Sequence, residues 1–306
     1  MKTNGTSATS EHPLDAVRLD LMRWYRLRGR HALPWRLTRD PYPVLISEVM
    51  LQQTQVDRVL PYYDAWLARW PTFAALAKAT PADVIRAWAG LGYNRRALNL
   101  HRLAVEVTNT HGSELPGSIP ALLQLPGIGP YTARAIACFA REERAVVADT
   151  NIARVLARLT LGQETAKGIR PGDLHGSAEA LLPTTCARDH NLALMDLGAL
   201  VCVARAPLCG SCPVARDCAW LAAGSPRTAT PARAPAERFE HTARFARGRI
   251  VAALRHAERP LPELVEMLPA RHRANATLYL AALEREGMVR QSPGGVWALP
   301  TEIRAG

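Results

Sequence analysis

The 306-residue sequence lacks any apolar run long enough to cross a bilayer. Its first twelve residues are polar and lack the apolar segment of a secretory signal peptide. We therefore expect a disordered tail at residues 1–12, a cytoplasmic protein and no membrane partner. Lysine is nearly absent as well, since only Lys2, Lys78 and Lys167 occur.

Despite the scarcity of lysine, the net charge is +11 at pH 7, and almost all of the positive charge comes from arginine. A strongly basic balance favours a polyanionic partner, most commonly nucleic acid. An arginine side chain can bind two phosphate oxygens at once, although a bias in genome composition would produce the same preference. Because charge does not determine the fold, a basic chain without such a partner stays open at this point.

Alternating strand patterns are scarce between Leu14 and Ala223, where apolar residues recur at helical spacing instead. Glycine and proline fall mainly between the helical segments, in positions that suit turns. The sequence therefore predicts a mainly α fold. The predicted helices are Asp15–Leu27, Val44–Arg58, Pro81–Trp88, Arg96–Thr110, Ile119–Gln124, Tyr131–Arg141, Ile152–Leu161 and Asn191–Cys202.

Residues 224–236 lack large apolar side chains and are rich in proline, alanine, threonine and arginine, so we place a linker at 224–240. Residues 241–300 then predict three short helices and a hairpin about Ser292–Gly295. This order resembles a winged helix, and residues 301–306 form a second tail. We expect the small domain to bind DNA, with protein docking as the alternative, because helix-turn-helix patterns serve both uses.

Four of the six cysteines lie within seventeen residues, at the spacing C-x6-C-x2-C-x5-C. Thiolates so close in sequence can bind one metal centre, and soft sulfur ligands select zinc or iron–sulfur clusters. Disulfides are a weaker alternative because the cytoplasm keeps thiols reduced. Arg205 lies between the ligands and would present positive charge on a metal-bound loop. The four candidate ligands are Cys202, Cys209, Cys212 and Cys218.

A glycine-rich segment, Leu125–Thr132, joins two predicted helices with the sequence LPGIGPYT. Its glycines allow backbone conformations closed to other residues, and exposed amides at the start of a helix attract phosphate. Gly127, Gly129 and Thr132 are therefore candidates for binding a DNA backbone without reading its sequence. A simple turn between helices is the alternative.

Further motifs occur in order along residues 13–222, and together with the hairpin and the cysteines they resemble the adenine glycosylase (MutY) family of the helix-hairpin-helix, or endonuclease III, superfamily. SEVMLQQT is the most family-specific of them, whereas the hairpin and the cysteine spacing occur across the superfamily. The motifs are LPWR at 33–36, SEVMLQQT at 47–54, GLGY at 90–93, VADTNIARV at 147–155 and MDLG at 195–198.

The resemblance implies a helix-hairpin-helix DNA glycosylase fold with the flipped base between two domains. A six-helix domain would cover about 33–144, with its hairpin at 125–132. Residues 13–32 and 145–223 would form a helical domain with a [4Fe–4S] cluster on the four cysteines. The implied activity is monofunctional hydrolysis, by a monomer, of the N-glycosidic bond of adenine opposite 8-oxoguanine or guanine in mismatched duplex DNA.

Breaking an N-glycosidic bond requires a protonated leaving base and a stabilised sugar cation, and two carboxylates suit these tasks. By the resemblance, Glu48 protonates the adenine and Asp149 stabilises the cation, assisted by Tyr131 and Asn151. Tyr131 stands where lyase members carry a Schiff-base lysine, so strong strand cleavage is not expected. Without the resemblance, Asp149 would be interpreted as a helix N-cap and Glu48 as a surface glutamate.

The resemblance also assigns residues that bind the base and enter the base stack. Trp35 and Arg36 match residues lining the base pocket. Gln53 and Tyr93 match residues that wedge into the stack. Gln52 belongs to the same joint set of base-pocket and wedge residues, and we group it with the base pocket.

Three departures from the family leave the opposite-base preference open. The C-terminal region is too short for the family's Nudix-like domain, Leu192 replaces a polar Gln or Glu, and Asn94 replaces a second tyrosine. One alternative is a mismatch-specific thymine or uracil glycosylase, which Glu48 and Gln52–Gln53 disfavour. Another is a non-enzymatic DNA-binding regulator with the cluster, or zinc, as a sensor.

Overall fold

The computed structural model describes residues 13–227 and 237–302. The expected tail at 1–12, residues 228–236 of the expected linker and residues 303–306 lie outside the described residues. The described part is mainly helical, as the sequence predicts, with one small sheet near its end. No helix in this part is long and apolar enough to span a membrane.

Backbone contacts divide the chain into two compact units. The first, here called the cysteine unit, consists of residues 1–39 and 133–230, and the second, the hairpin unit, of 40–132 and 231–306. The cysteine unit contains α1 (Pro13–Arg28), most of α8 (Pro130–Arg141), α9 (Thr150–Leu159), α10 (Pro171–Leu181), α11 (Ala187–Leu200) and α12 (Ala219–Ala222). Helix α8 begins in the hairpin unit and is therefore a covalent link between the two.

The hairpin unit contains the remaining helices. Its N-terminal part contains α2 (Pro41–Leu51), α3 (Val56–Arg69), α4 (Phe73–Ala77), α5 (Pro81–Ala87), α6 (Arg95–Thr110) and α7 (Ile119–Leu122). Its C-terminal part contains α13 (Ala243–Leu254), α14 (Leu261–Glu266), α15 (Ala270–Arg273) and α16 (Ala276–Arg285). The domain boundaries expected from the sequence stay predictions.

The predicted single helix Val44–Arg58 is wrong, because two helices occupy this stretch. Helix α2 ends at Leu51 and α3 begins at Val56. Between them Gln53 has a φ of +57°, a left-handed conformation that breaks a right-handed helix. Apolar spacing is continuous across the break, which explains why the pattern concealed it.

The C-terminal part has the helices and the hairpin that the sequence predicts, with one helix more than expected. Three short strands, β1 (Arg259–Pro260), β2 (Arg290–Gln291) and β3 (Val296–Ala298), form an antiparallel sheet in the order β1-β3-β2. The turn between β2 and β3 contains Gly295, whose φ of +78° favours glycine.

The C-terminal helices share a hydrophobic core with α5 and α6. Ala82, Ile85 and Leu98 of those two helices belong to one buried cluster with residues of α13, α14, α16 and β3. The amide of Ala82 also donates to the carbonyl of Pro300 at 2.9 Å. Burial of shared apolar surface therefore holds residues 237–302 within the hairpin unit.

We expect Leu254→Ala to destabilise the hairpin unit, because Leu254 is 1% exposed in this shared core. Truncating a buried leucine lowers the free energy of unfolding by about 2–5 kcal/mol. The matched control is Leu278→Ala, which removes the same atoms from a side chain that is 63% exposed and should change stability by less than about 0.5 kcal/mol. Denaturant unfolding followed by circular dichroism tests this, and equal midpoints for the two variants would contradict it.

Candidate functional site

Glu48 lies in the middle of α2, a helix that is buried over most of its length. Glu48 is 8% exposed, and its neighbour Val49 is 6% exposed. Helix α2 begins after Asp40, whose carboxylate accepts from the amide of Tyr42 at 2.9 Å. The expected surface position for an isolated glutamate is therefore not observed, and the carboxyl group sits on a largely apolar helix.

One arginine, Arg96 at the start of α6, organises the end of α2. Its Nη1 donates to the carbonyls of Val49, Met50 and Gln52 at 2.7, 3.0 and 2.7 Å. These carbonyls lie at a helix C-terminus, where they have no helical partner and carry partial negative charge. Burial lowers the pKa of Arg96 to about 10, so the guanidinium stays charged at neutral pH.

The same guanidinium binds the loop that carries Tyr93. Nη2 of Arg96 donates to the carbonyls of Leu91 and Gly92 at 3.2 and 3.1 Å. Gly90 in this loop has a φ of +99°, and a side chain there would collide with the hydroxyl of Tyr62. The glycine is therefore required by both backbone conformation and space.

Gln53 and Tyr93, the two predicted wedge residues, have the same unusual backbone. Their φ angles are +57° and +48°, a left-handed conformation that is uncommon for residues other than glycine and that concentrates at functional sites. Both are exposed, Tyr93 to 39%. Arg96 therefore holds two exposed side chains on the two loops that it joins.

The predicted hairpin, Leu125–Thr132, forms a turn ahead of α8. Gly127 has a φ of +79°, and a Cβ there would lie 2.7 Å from Cβ of Asn99. Around a Cβ at Gly129, by contrast, no described atom lies within 4 Å. Thr132, in the first turn of α8, is only 3% exposed. Tyr131 is half-buried in the first turn of α8.

The hairpin and α2 line one cavity of the hairpin unit. Gln52 and Val49 contribute from the α2 side, Gly127 from the hairpin, and Arg96 from α6. The structure therefore brings together the predicted base-pocket residue Gln52 and the predicted backbone-binding residue Gly127.

In the cysteine unit, Asp149 is the N-cap of α9, and both of its oxygens are engaged. Oδ1 accepts from the amide of Ile152 at 2.7 Å, and Oδ2 accepts from Nδ2 of Asn151 at 3.1 Å. The positive end of the α9 dipole also faces this carboxylate. The predicted catalytic pair Asp149 and Asn151 is thus in direct contact.

Asn151 connects Asp149 to the first cysteine through Arg154, a residue that sequence reasoning missed. Nη2 of Arg154 donates to Oδ1 of Asn151 at 2.9 Å, and its Nε donates to the carbonyl of Cys202 at 2.8 Å. Gly198 of the MDLG motif allows α11 to approach, since a Cβ there would lie 2.8 Å from Cβ of Asn151. The cysteine loop and the Asp149 turn are therefore joined by side-chain hydrogen bonds.

The four predicted ligand cysteines line a single cavity of about 290 Å³, part of it open to solvent, together with Arg158 and Trp220. Buried Arg158 donates to Sγ of Cys202 at 3.4 Å and to the carbonyl of Val203 at 2.8 Å. Burial raises the pKa of the Cys212 thiol to about 11, so a metal centre must displace its proton.

Among the described residues, no three His, Cys, Asp or Glu side chains are placed to hold a single metal ion. Cysteine thiolates are the ligands that hold iron–sulfur clusters in proteins, so the donor set of this cavity fits such a group. Arg205 lies exposed on the same loop.

Arg36 and Trp35, the predicted base-pocket residues, are both buried in the cysteine unit. Arg36 forms a bidentate ion pair with Asp196 of the MDLG motif at 2.7 and 2.8 Å, and Nε of Arg30 reaches Asp196 at 2.7 Å. Burial acts to raise the pKa of Asp196, but the hydrogen bond and charge of Arg36 outweigh it and lower the pKa. The structural role of Arg36 is therefore clear, while its contact with a base stays a prediction.

The sequence and the fold match known DNA glycosylases. Residues 46–170 match the family described as HhH-GPD superfamily base excision DNA repair protein. The adenine DNA glycosylase of Mycolicibacterium smegmatis is 41% identical over 290 residues, which cover 94% of this chain and 97% of the relative.

Two solved structures share the fold. A thermostable thymine-DNA glycosylase has a TM-score of 0.64 at 31% identity and covers 69% of this chain and 97% of its own. A trapped endonuclease III–DNA covalent intermediate has a TM-score of 0.59 at 20% identity and covers 70% of this chain and 99% of its own. The fold class predicted from the sequence is therefore confirmed.

We expect Arg96→Met to loosen the two loops that Arg96 joins, because it leaves several partly buried carbonyls without this donor. An unsatisfied carbonyl costs about 1–3 kcal/mol when it is fully buried and less where water reaches it. Hydrogen exchange should become faster in residues 51–54 and 90–94. The exposed neighbour supplies the control, since Arg95→Met removes an equal charge from the same helix. Unchanged exchange in both loops of Arg96→Met would show that the guanidinium is not their anchor.

Proposed function

The chain belongs to the HhH-GPD superfamily and, within it, to the adenine DNA glycosylases of base excision repair, and we propose that it is a monofunctional enzyme for adenine opposite 8-oxoguanine or guanine. The observation that carries this proposal is the 41% identity to an adenine DNA glycosylase over nearly the whole of both chains. Glu48, Asp149 and the wedge residues support it, since each occupies a position suited to its role. DNA is the partner, and we expect a monomer acting in the cytoplasm on mismatched duplexes.

In the proposed reaction, Glu48 gives its proton to a ring nitrogen of adenine. The N-glycosidic bond then breaks with its electron pair going to the base. Water adds to the sugar cation, and the proton that it loses restores the acid form of Glu48. The burial of Glu48 on α2 supports this role, because a general acid must be held in a fixed position within reach of the base that it protonates.

Asp149 is proposed to stabilise the sugar cation. Its two hydrogen bonds, from Ile152 and Asn151, fix the carboxylate in one orientation. A preorganised charge needs no rearrangement as the cation develops. Tyr131 and Asn151 are proposed to assist near the sugar.

Access to the base requires that it leave the stack. We assign Gln53 and Tyr93 as the side chains that fill the gap, because both are exposed on loops held by Arg96. Gln52, Trp35 and Arg36 are proposed to bind the base.

Two elements are proposed to bind the DNA backbone. One is the hairpin, through its amides at Gly127, Gly129 and Thr132 ahead of α8. The other is Arg205 on the cysteine loop.

A [4Fe–4S] cluster is the proposed cofactor, with Cys202, Cys209, Cys212 and Cys218 as ligands. The cavity that all four line supports it, as does Arg158, whose charge lies beside Cys202 and would offset the negative charge of thiolates. The cluster would hold the loop that carries Arg205 in place.

We expect Asp149→Asn and Glu48→Gln to abolish adenine release at equal folding. Loss of a general acid costs about 100- to 10,000-fold in rate, and Asp149→Asn keeps the helix cap while removing the charge. Single-turnover base release would be measured on duplexes with adenine opposite 8-oxoguanine, guanine, cytosine and thymine, and with thymine or uracil opposite guanine. Matched controls are Glu142→Gln, on an exposed glutamate, and Asp173→Asn, in the first turn of α10.

Release of pyrimidines with adenine left intact would favour the alternative activity, a mismatch-specific thymine or uracil glycosylase. The fold of this chain is also similar to that of a thermostable thymine-DNA glycosylase. Release from none of the duplexes by metal-loaded protein would favour a regulator. Efficient borohydride trapping of a covalent DNA adduct would contradict the monofunctional assignment.

The purified protein should be brown and contain about four iron atoms per chain, as a [4Fe–4S] centre requires. Cys209→Ser should lose both iron and colour. Cys186→Ser, which removes an exposed thiol outside the cavity, should lose neither. A colourless protein with one zinc per chain would contradict the cluster.

A further inference from the structure

Helix α13 of the C-terminal part is anchored against the loop that carries Tyr93. Nη2 of Arg255, directly after α13, donates to Oδ1 of Asn94 at 2.9 Å, and its Nε donates to the carbonyl of Ile85 at 3.3 Å. Nε of Arg86 in turn donates to the carbonyl of Arg255 at 3.1 Å. Asn94, which departs from the family pattern, is therefore a docking point for the C-terminal part.

At the other end of α13, Arg244 lies on the ring of Tyr93. The guanidinium carbon is 3.6 Å from the ring centroid, and Nη1 donates to the Tyr93 hydroxyl at 2.6 Å. Phe239 lies on another side of the guanidinium, with its ring centroid 5.6 Å away. The C-terminal part thus places a cation directly on a predicted DNA wedge.

Within the described residues, Arg244 has no carboxylate at ion-pair distance, and it is exposed. Other arginines of α13 have different partners: Arg247 pairs with Glu286 at 2.6 Å, and Arg249 donates to the carbonyl of Met267 at 3.3 Å. A guanidinium has five N–H donors, and the tyrosine hydroxyl takes one of those on Arg244. The remaining donors are available to an external acceptor.

We propose that Arg244 contacts the base opposite the excised adenine and donates to its O6 carbonyl, the acceptor that guanine and 8-oxoguanine share. This rests on the proposed function, in which Tyr93 fills the gap left by adenine and so lies against the opposite base. In this proposal the base stacks on the ring face of Tyr93 that Arg244 covers. Replacing the contact between the Arg244 guanidinium and the Tyr93 ring by a stacked base costs only about 0.5–1 kcal/mol, the value of an exposed cation–π contact. The displaced guanidinium stays next to that base.

The chemistry of the guanidinium selects among opposite bases. It only donates hydrogen bonds, so it fits the O6 acceptor that guanine presents at its major-groove edge, where cytosine presents a donor amino group instead. The C-terminal part would in this way take part in opposite-base selection.

The test is binding and single-turnover release with Arg244→Ala, Arg244→Lys and the control Arg249→Ala, which removes an exposed arginine from the same helix. Duplexes would contain adenine, or its non-cleavable 2′-fluoro analogue, opposite guanine, 8-oxoguanine or cytosine. Loss of a base contact worth about 1–3 kcal/mol corresponds to about 5- to 150-fold weaker binding at 1.4 kcal/mol per tenfold. We expect this loss for Arg244→Ala with guanine and 8-oxoguanine, little change with cytosine, and an intermediate loss for Arg244→Lys.

Equal losses on all three duplexes would overturn the proposal in favour of a phosphate contact, and so would an unchanged preference. Arg249→Ala should leave the preference as in the unaltered protein. The binding arm separates this proposal from the proposed function. Preferential binding opposite guanine that depends on Arg244, without any adenine release, would refute the activity alone. Adenine release with an Arg244-independent preference would refute this proposal alone.

Discussion

Arg96 donates to the carbonyls at the end of α2 and to those of the loop that carries Tyr93, so this one side chain joins the two loops on which the predicted wedge residues lie. Left-handed residues cost conformational energy, and a loop relaxes unless something fixes it. The planar guanidinium of Arg96, with several N–H donors in fixed directions, supplies that constraint. A lysine ammonium cannot reproduce it. The geometry at Gln53 and Tyr93 is thus a consequence of a charge placed between two chain segments.

The cysteine unit uses the same device with different residues. Arg154 connects the Asp149 turn to the carbonyl of Cys202. Arg158 donates to the carbonyl of Val203 in the cysteine loop, and Arg36 forms an ion pair with Asp196. Much of the arginine in this lysine-poor chain is therefore committed to internal carbonyls and carboxylates. The net charge of +11 is therefore larger than the charge available to phosphate. Exposed arginines such as Arg205 and Arg244 are the ones that remain available to bind DNA.

Many helix positions, the glycine-rich turn and the grouping of the four cysteines could be predicted from the sequence, because periodicity, glycine chemistry and spacing are local signals. Helices α4 and α10 are not among the predicted helices. The break at Gln53 could not be predicted, since it depends on Arg96, more than forty residues away along the chain. The arginine contacts are invisible for a related reason: their acceptors are backbone carbonyls, which every residue has. The docking of α13 on the Tyr93 loop likewise follows from tertiary packing that no repeat in the sequence encodes.

The two interpretations of Asp149 that the sequence leaves open, helix cap and catalytic carboxylate, turn out to be compatible. An ionised carboxylate has about four acceptor positions, and the amide of Ile152 and the side chain of Asn151 occupy two of them. The cap keeps the carboxylate oriented at the positive end of α9, and two of its acceptor positions are left after these two hydrogen bonds. Capping is therefore the means by which a short, flexible aspartate becomes a fixed negative charge, which is the property that stabilising a sugar cation requires.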